Sequence, residues 1–215
     1  MNSVQSDTAP LQVRSLFLSE VATRKKREVK PASERKKEIM DAAVALFAEK
    51  GFNETTVGDI AAEAGVATGT VYLYFPSKDH ILVALHQRMG EAMLGHITEV
   101  VGDLFERRSA GEEVDYKQGV NLVIDASVRL LRDNLDLCTV VFQFAPASKM
   151  AQEILKAEDE FVQGLGRLLQ AGVSQGLIHT EDPEMTAYIV ERTIDPLQAA
   201  LAYGVPDDLD RLVSA

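Results

Sequence analysis

Tryptophan is absent, cysteine occurs once, at Cys138, and aromatic residues make up only 6% of the 215 residues. A single cysteine rules out an internal disulfide and fits a reducing compartment. Four histidines are scattered along the chain, and with no Cys or His cluster a structural zinc site is not expected. No apolar run approaches the ~20 residues that cross a bilayer. The N-terminal apolar patch is only Leu16, Phe17 and Leu18, with Glu20 close behind. That is too short for a secretory h-region, so the expectation is a cytoplasmic protein without membrane contact. Catalytic signatures are missing as well. There is no Gly-rich phosphate loop after a strand, no Gly-x-Ser-x-Gly and no paired-His spacing. Neither an enzyme nor a bound cofactor or metal is therefore expected.

What is present is charge, unevenly placed. The formal net charge is −11, which argues against nucleic acid until its distribution is read. Residues 1–90 carry 12 basic against 11 acidic side chains, and residues 91–215 carry 10 against 22. Within residues 24–37 there are eight bases (Arg24, Lys25, Lys26, Arg27, Lys30, Arg35, Lys36, Lys37) and two acids. A basic cluster ahead of an acidic body is a footprint for phosphate. Its bland counterpart is a solvated tail on an acidic protein.

From Ser33 onward the chain reads as helix after helix, with no sustained strand alternation. The spacing predicts a first helix over 33–50, with Ile39, Ala43, Leu46 and Phe47 on one stripe and Gly51 as its C′ residue. A second helix is predicted over 56–64, opened by Thr56 and Asp59 as a capping box, with Gly65 turning left-handed after it. A third runs over 68–75 until Pro76. Ser77 then caps a fourth that continues toward Leu104, with bends expected at Gly90, Gly95 and Gly102. After a loop over 107–114, helices follow from about 115, over 135–144 and over 148–173. The last opens on Asp182 and Pro183 and runs toward Tyr203, with a kink expected at Pro196. The expected class is all-α. It divides into a basic arm (1–32), a helix-turn-helix unit (33–80) and a larger helical body (81–215).

Two short helices joined by a tight Gly-containing turn survive by packing on the helix before them, and this leaves one face free. In the third helix that face holds Thr68, Gly69, Thr70, Tyr72 and Leu73, with no acid from Gly65 to Ser77. An α-helix fits the major groove of DNA. Tyr hydroxyls and Lys78 are candidates to hold phosphates, and helix N-termini add Thr55 and Thr56. The segment TVGDIAAEAGVATGTVYLYFPSKDHIL resembles the DNA-binding signature of the TetR family of bacterial repressors, and the likeness spans Glu34 to Leu85. The resemblance implies an all-α homodimer with an N-terminal helix-turn-helix and a variable C-terminal domain that binds a small-molecule effector. By position it assigns DNA contact to Thr56, Thr68, Gly69, Thr70, Tyr72, Tyr74 and Lys78, with Tyr74 as a residue that also packs beside Phe75. Two departures stand out. Ala67 replaces the Ser that often caps the recognition helix in the family, and Leu73 is apolar where a polar or aromatic residue is common.

The body from residue 91 onward offers aliphatic surface with a few polar intruders. Met89, Leu104, Phe105, Leu131, Cys138, Phe142 and Phe161 are candidates to line an effector cavity, with Arg129 orienting a polar end. The alternative is an ordinary helical core with arginines reaching out of it. The lining leans toward a hydrophobic or acyl-type effector. The last two long helices are expected to make the dimer, with Gly164, Gly166, Gly172 and Gly176 thinning one of them. Two-fold symmetry then sets two recognition helices about 34–36 Å apart on a pseudo-palindromic double-stranded operator. A helical small-molecule-binding protein with a vestigial helix-turn-helix is the competing class.

Overall fold

The computed structural model describes residues 31–114, 116–144, 150–176 and 178–202, and there it holds helices and no strand. The basic arm before residue 31, Pro146, Ser148 and the tail beyond 202 lie outside the described residues. In chain order the helices are α1 (Ala32–Lys50), α2 (Val57–Glu63), α3 (Thr68–Tyr74), α4 (Lys78–Ser109), α5 (Tyr116–Asp133), α6 (Leu135–Phe144), α7 (Ala151–Ser174) and α8 (Pro183–Ala202).

Local chemistry sets the boundaries of the first four. The C-terminal end of α1 gives way to Gly51 at φ 86°, and α2 to Gly65 at φ 64°. Both are left-handed conformations that a Cβ disfavours. Ser77 caps α4 by accepting the His80 N–H. Asp182 caps the last helix, its Oδ1 accepting the Met185 N–H at 2.9 Å. One boundary shifts: α4 runs on to Ser109, past the loop start expected at residue 107. The helix assignment is continuous through Gly90, Gly95 and Gly102 in α4 and through Pro196 in α8. At 32 residues, α4 is about 48 Å long.

The apolar stripe of α1 packs inward through Ile39, Ala43 and Phe47. It meets Ile60 and Ala61 of α2, Val71 of α3 and Phe75 in one hydrophobic cluster. The cluster does not end there. It continues along Ile81, Leu82, Leu85, Met89 and Met93 of α4 to Leu131, to Cys138 and Val141 of α6, and to Leu165 of α7. The short helices thus share one continuous core with the long ones. Burial of this kind, at ~25 cal/mol per Å², is what holds seven-residue helices that would not persist alone.

Gly164 sits where a Cβ would stand 2.5 Å from Leu94 Cδ2, and Gly166 faces Glu184 and Ala187. These glycines therefore admit α4 and α8 of the same chain. Gly172 makes room for Ile178 in the same way. Gly176 lies just past α7 at φ 67°, where Arg108 Nη1 donates to its carbonyl at 2.8 Å. Among the described residues no helix is long and apolar enough to cross a membrane, and no group of His, Cys, Asp or Glu could hold a metal ion.

Candidate nucleic-acid interface

α3 is anchored by Val71, fully buried, and by Phe75 directly after it. Successive residues of an α-helix are rotated by about 100°, so Gly69 and Leu73 both fall about 160° from Val71, on either side of the outward pole. Tyr72 is 53% and Leu73 82% exposed. Thr68 and Gly69 are exposed and Thr70 half-buried. Apart from its own helical backbone and chain neighbours, nothing comes within 4 Å of where a Gly69 Cβ would be. Tyr74 is half-buried and packs against the core, so it supports the helix from behind.

Three predicted contact residues turn out to be occupied by the fold. Thr55 is 1% exposed. Its hydroxyl donates to Gly51 O at 2.8 Å, with Leu46 O at 3.3 Å as the second acceptor that shares its one hydrogen, closing the C-terminal turn of α1. Thr56 gives both its N–H and its O–H to Asp59 Oδ2, each at 2.8 Å, while Asp59 N donates back to Thr56 Oγ1. That is the predicted capping box with Asp in place of Glu, and it leaves no Thr56 donor for a phosphate. Asp59 also pairs with Lys50 at 3.1 Å. Its pKa falls to about 2, chiefly because the Thr56 backbone N–H and hydroxyl bond the carboxylate, with Lys50 adding to them.

Lys78 is the third. Its Nζ donates to the carbonyls of Phe52, Asn53 and Thr55 at 2.7, 3.1 and 3.1 Å and lies 4.5 Å over the Phe52 ring. An ammonium has three donors, and all three are spent on the loop between α1 and α2. The Thr56 cap was readable from its spacing to Asp59, whereas the roles of Thr55 and Lys78 depend on which backbone carbonyls the folded chain brings to them. Thr55→Val is expected to cost about 1–2 kcal/mol of stability, since the α1 carbonyls lose a donor, and to leave DNA affinity of the folded protein unchanged. Denaturant titration with a parallel binding isotherm checks both halves.

Ala67 is the N-cap of α3 at φ −71°, ψ 145°, with no side-chain cap bond. The backbone there already has the extended geometry a capping Ser requires. Ala67→Ser is expected to stabilise the protein by about 1 kcal/mol, read as a higher midpoint in thermal or denaturant unfolding. One basic residue was visible in the sequence only as a member of the cluster over 24–37. Lys36 Nζ stands 5.7 Å from the Phe75 ring centroid, at the C-terminal end of α3.

The predicted effector residues separate into two groups. Met89, Leu131 and Cys138 are buried in the common core, and Phe142 and Phe161 pack against it. Phe161 lies close enough to α4 that a Gly90 Cβ would be 3.7 Å from its own Cβ. Burial pushes the Cys138 thiol up to about 11, so it acts there as a small apolar group. Leu104 is buried, outside that cluster. Phe105, next to it, turns outward and is 39% exposed. Arg129 is exposed and paired with Asp125 one turn away on α5, so it does not point into the interior. Half-buried polar groups bridge α4 and α7 instead. His86 Nε2 of α4 lies 3.6 Å from Glu158 of α7, and that carboxyl is held below its ordinary pKa mainly by this contact.

An open groove of about 610 Å³ runs along α7 and the start of α8, lined by Asp159, Gln163, Arg167, Gln170 and Glu184 among others. None of the predicted effector residues borders it. Beside it, α8 exposes Met185, Tyr188 and Ile189 at i, i+3, i+4 spacing.

A short helix held by its core side, its outer face free of acids and preceded by a capped helix and a tight glycine turn, defines a helix-turn-helix regulator. The profile of bacterial regulatory proteins of the tetR family matches residues 39–85. The fatty acid metabolism regulator protein of Bacillus subtilis is 30% identical over 164 residues, which is 74% of this chain and 78% of that protein. The solved FadR of Bacillus subtilis in complex with stearoyl-CoA is 29% identical, with a TM-score of 0.62 over 83% of this chain and 93% of that one. The fatty acid degradation regulator FadR from Bacillus halodurans is 26% identical, with a TM-score of 0.65 over 86% and 93%. The chain belongs to the TetR family of bacterial regulatory proteins. It is a transcriptional regulator, as the relatives it matches are named.

Proposed function

We propose that the chain is a cytoplasmic repressor that binds a pseudo-palindromic operator as a homodimer and lets go when a long-chain acyl thioester of coenzyme A enters its body. The single observation that carries the DNA half is the outward pole of α3, with Tyr72 and Leu73 exposed on a helix fixed from behind by Val71 and Phe75. In this reading residues 33–80 are the reading unit, 81–215 the effector and dimer body, and 1–32 a basic arm. Thr68, Gly69, Thr70, Tyr72 and Leu73 face the bases and the groove walls. Lys36 and the neighbouring basic residues neutralise phosphates, each raising affinity in a salt-dependent way.

The effector half rests on the aliphatic core reached by Met89, Leu131, Cys138, Phe142 and Phe161 and on the likeness to a regulator solved with stearoyl-CoA. An acyl chain fits such a lining by burial alone, at about 0.8 kcal/mol per CH₂. The Met185, Tyr188 and Ile189 stripe of α8 supports the dimer, because apolar side chains aligned on one exposed face mark association surfaces.

The test starts from a randomised duplex library enriched on the full-length protein. Fluorescence anisotropy then measures the recovered duplex with and without stearoyl-CoA, using coenzyme A as control. Stearoyl-CoA is expected to weaken binding and coenzyme A to leave it unchanged. Equal affinities in all three conditions would remove the acyl effector from the proposal. Tyr72→Ala is expected to lower affinity for the recovered duplex about tenfold, the loss of one base-edge bond per half-site, and to leave binding of unrelated DNA nearly as it was.

A further inference from the structure

We propose that Leu73 is a specificity-determining residue that selects a thymine in each operator half-site through the 5-methyl group. The inference rests on the reading of α3 as the groove-facing helix and sharpens it to one base.

Leu73 is the most exposed large apolar side chain among the described residues, at 82%. With Gly69 it flanks the outward pole of α3, about 160° from the buried Val71. Gly69, one turn earlier on that pole, has open space where its side chain would be. Gly69 therefore adds no bulk on that face one turn before Leu73. Tyr72 lies to one side of the pole and Thr70, half-buried, to the other. The polar groups thus flank an apolar tip.

A leucine neither donates nor accepts a hydrogen bond. The floor of the major groove presents N7, O6, O4 and the exocyclic amines, which are all polar, and one apolar group, the thymine methyl. Placed over a polar edge, Leu73 would strip water from it and return nothing. Placed over a thymine methyl, it buries apolar surface on both partners. The residue thus rewards T·A and penalises the other pairs at one position. Its apolar bulk is also of no use to the isolated fold, since it touches solvent there.

One buried methyl corresponds to about fourfold in affinity, and two, related by the dimer axis, to roughly fifteenfold. The experiment uses the duplex recovered by selection on the full-length protein. Each thymine is replaced singly by deoxyuridine, which keeps pairing and removes only the methyl. One thymine per half-site is expected to be sensitive, by about fourfold. Leu73→Ala is expected to bind the thymine duplex about fourfold to fifteenfold more weakly, and to bind thymine and deoxyuridine duplexes equally at that position. An unchanged melting temperature for Leu73→Ala checks that folding is intact, as its exposure requires. The proposal is overturned if no deoxyuridine changes affinity, or if the sensitivity persists undiminished in Leu73→Ala. A wild-type protein that enriches no sequence at all would instead fail the groove-facing reading itself, and this proposal with it.

Discussion

Ile189→Glu is expected to turn the protein into a monomer at micromolar concentration and to weaken operator binding by more than about a hundredfold. Ile189 is 57% exposed, with Met185 and Tyr188 beside it on the same face of α8. A two-fold interface is self-complementary, so each substitution acts twice. A glutamate on such a face has to be desolvated against a second glutamate or an apolar partner, at several kcal/mol. Each recognition helix would then bind alone. Loss of the linked second site removes an avidity of about 10²–10⁴. The protein itself should still fold, since the inner side of α8 is held by Ala187, fully buried, and by the close approach of Glu184 and Ala187 to Gly166. Light scattering coupled to size exclusion reads the mass, and anisotropy reads the affinity. A variant that remains dimeric would move the interface off this face of α8.

Much of the architecture was legible because helix ends are decided within four residues. Thr56 and Asp59, Ser77 and His80, and Asp182 and Met185 are all pairs three apart, and each formed as its local chemistry required. The stripe of Ile39, Ala43 and Phe47 is likewise a property of one helix. What was not legible depends on the path the chain takes, over a few residues for Thr55 and Arg129 and over more than twenty for Lys78. Nothing near Thr55 announces that its hydroxyl closes the end of α1. The chain around Lys78 does not show that three carbonyls more than twenty residues earlier would claim it. Arg129 looked available for an effector because its partner was unknown, and the partner proved to be Asp125 on the same helix. Leu104 and Phe105 are neighbours and both apolar, yet a helix turns one inward and the other out. In α3 the same arithmetic worked in favour of the reading, because Val71 fixes the inner face and the remaining positions follow at 100° each.

Phe144→Ala is expected to uncouple the effector from the operator while leaving both binding sites in place. The reason lies in a chain of ring contacts linking α6 to the helix-turn-helix. α6 buries Leu137, Cys138, Val140 and Val141, so its position responds to whatever occupies the core around Cys138. Its last residue, Phe144, stacks on Phe52 at 6.0 Å between centroids and 28° between planes. Phe52 in turn meets Phe47 of α1 at 5.1 Å and carries Lys78 over its face. Lys78 is bonded to the α1–α2 loop and opens α4. A second tie, Arg88 Nη1 to Asp41 Oδ1 at 2.5 Å, joins α4 to α1 further along. On the proposed function, a displacement of α6 by an acyl chain would reach the base of the reading unit through packed aromatic surface. An effector shifts an equilibrium only by its differential affinity for the two arrangements, and residues on the connecting path carry about 0.5–2 kcal/mol of it. Removing the Phe144 ring is expected to reduce the loss of operator affinity caused by stearoyl-CoA by up to about thirtyfold. Operator affinity without effector, and stearoyl-CoA affinity without DNA, should each change by no more than a few fold. Adding Phe52→Ala should change the response to stearoyl-CoA little further, because the Phe144–Phe52 contact is already lost, although it also removes the Phe47 and Lys78 contacts of Phe52. If stearoyl-CoA releases the Phe144→Ala protein as fully as the wild type, the signal travels along α4 and its Arg88–Asp41 tie instead.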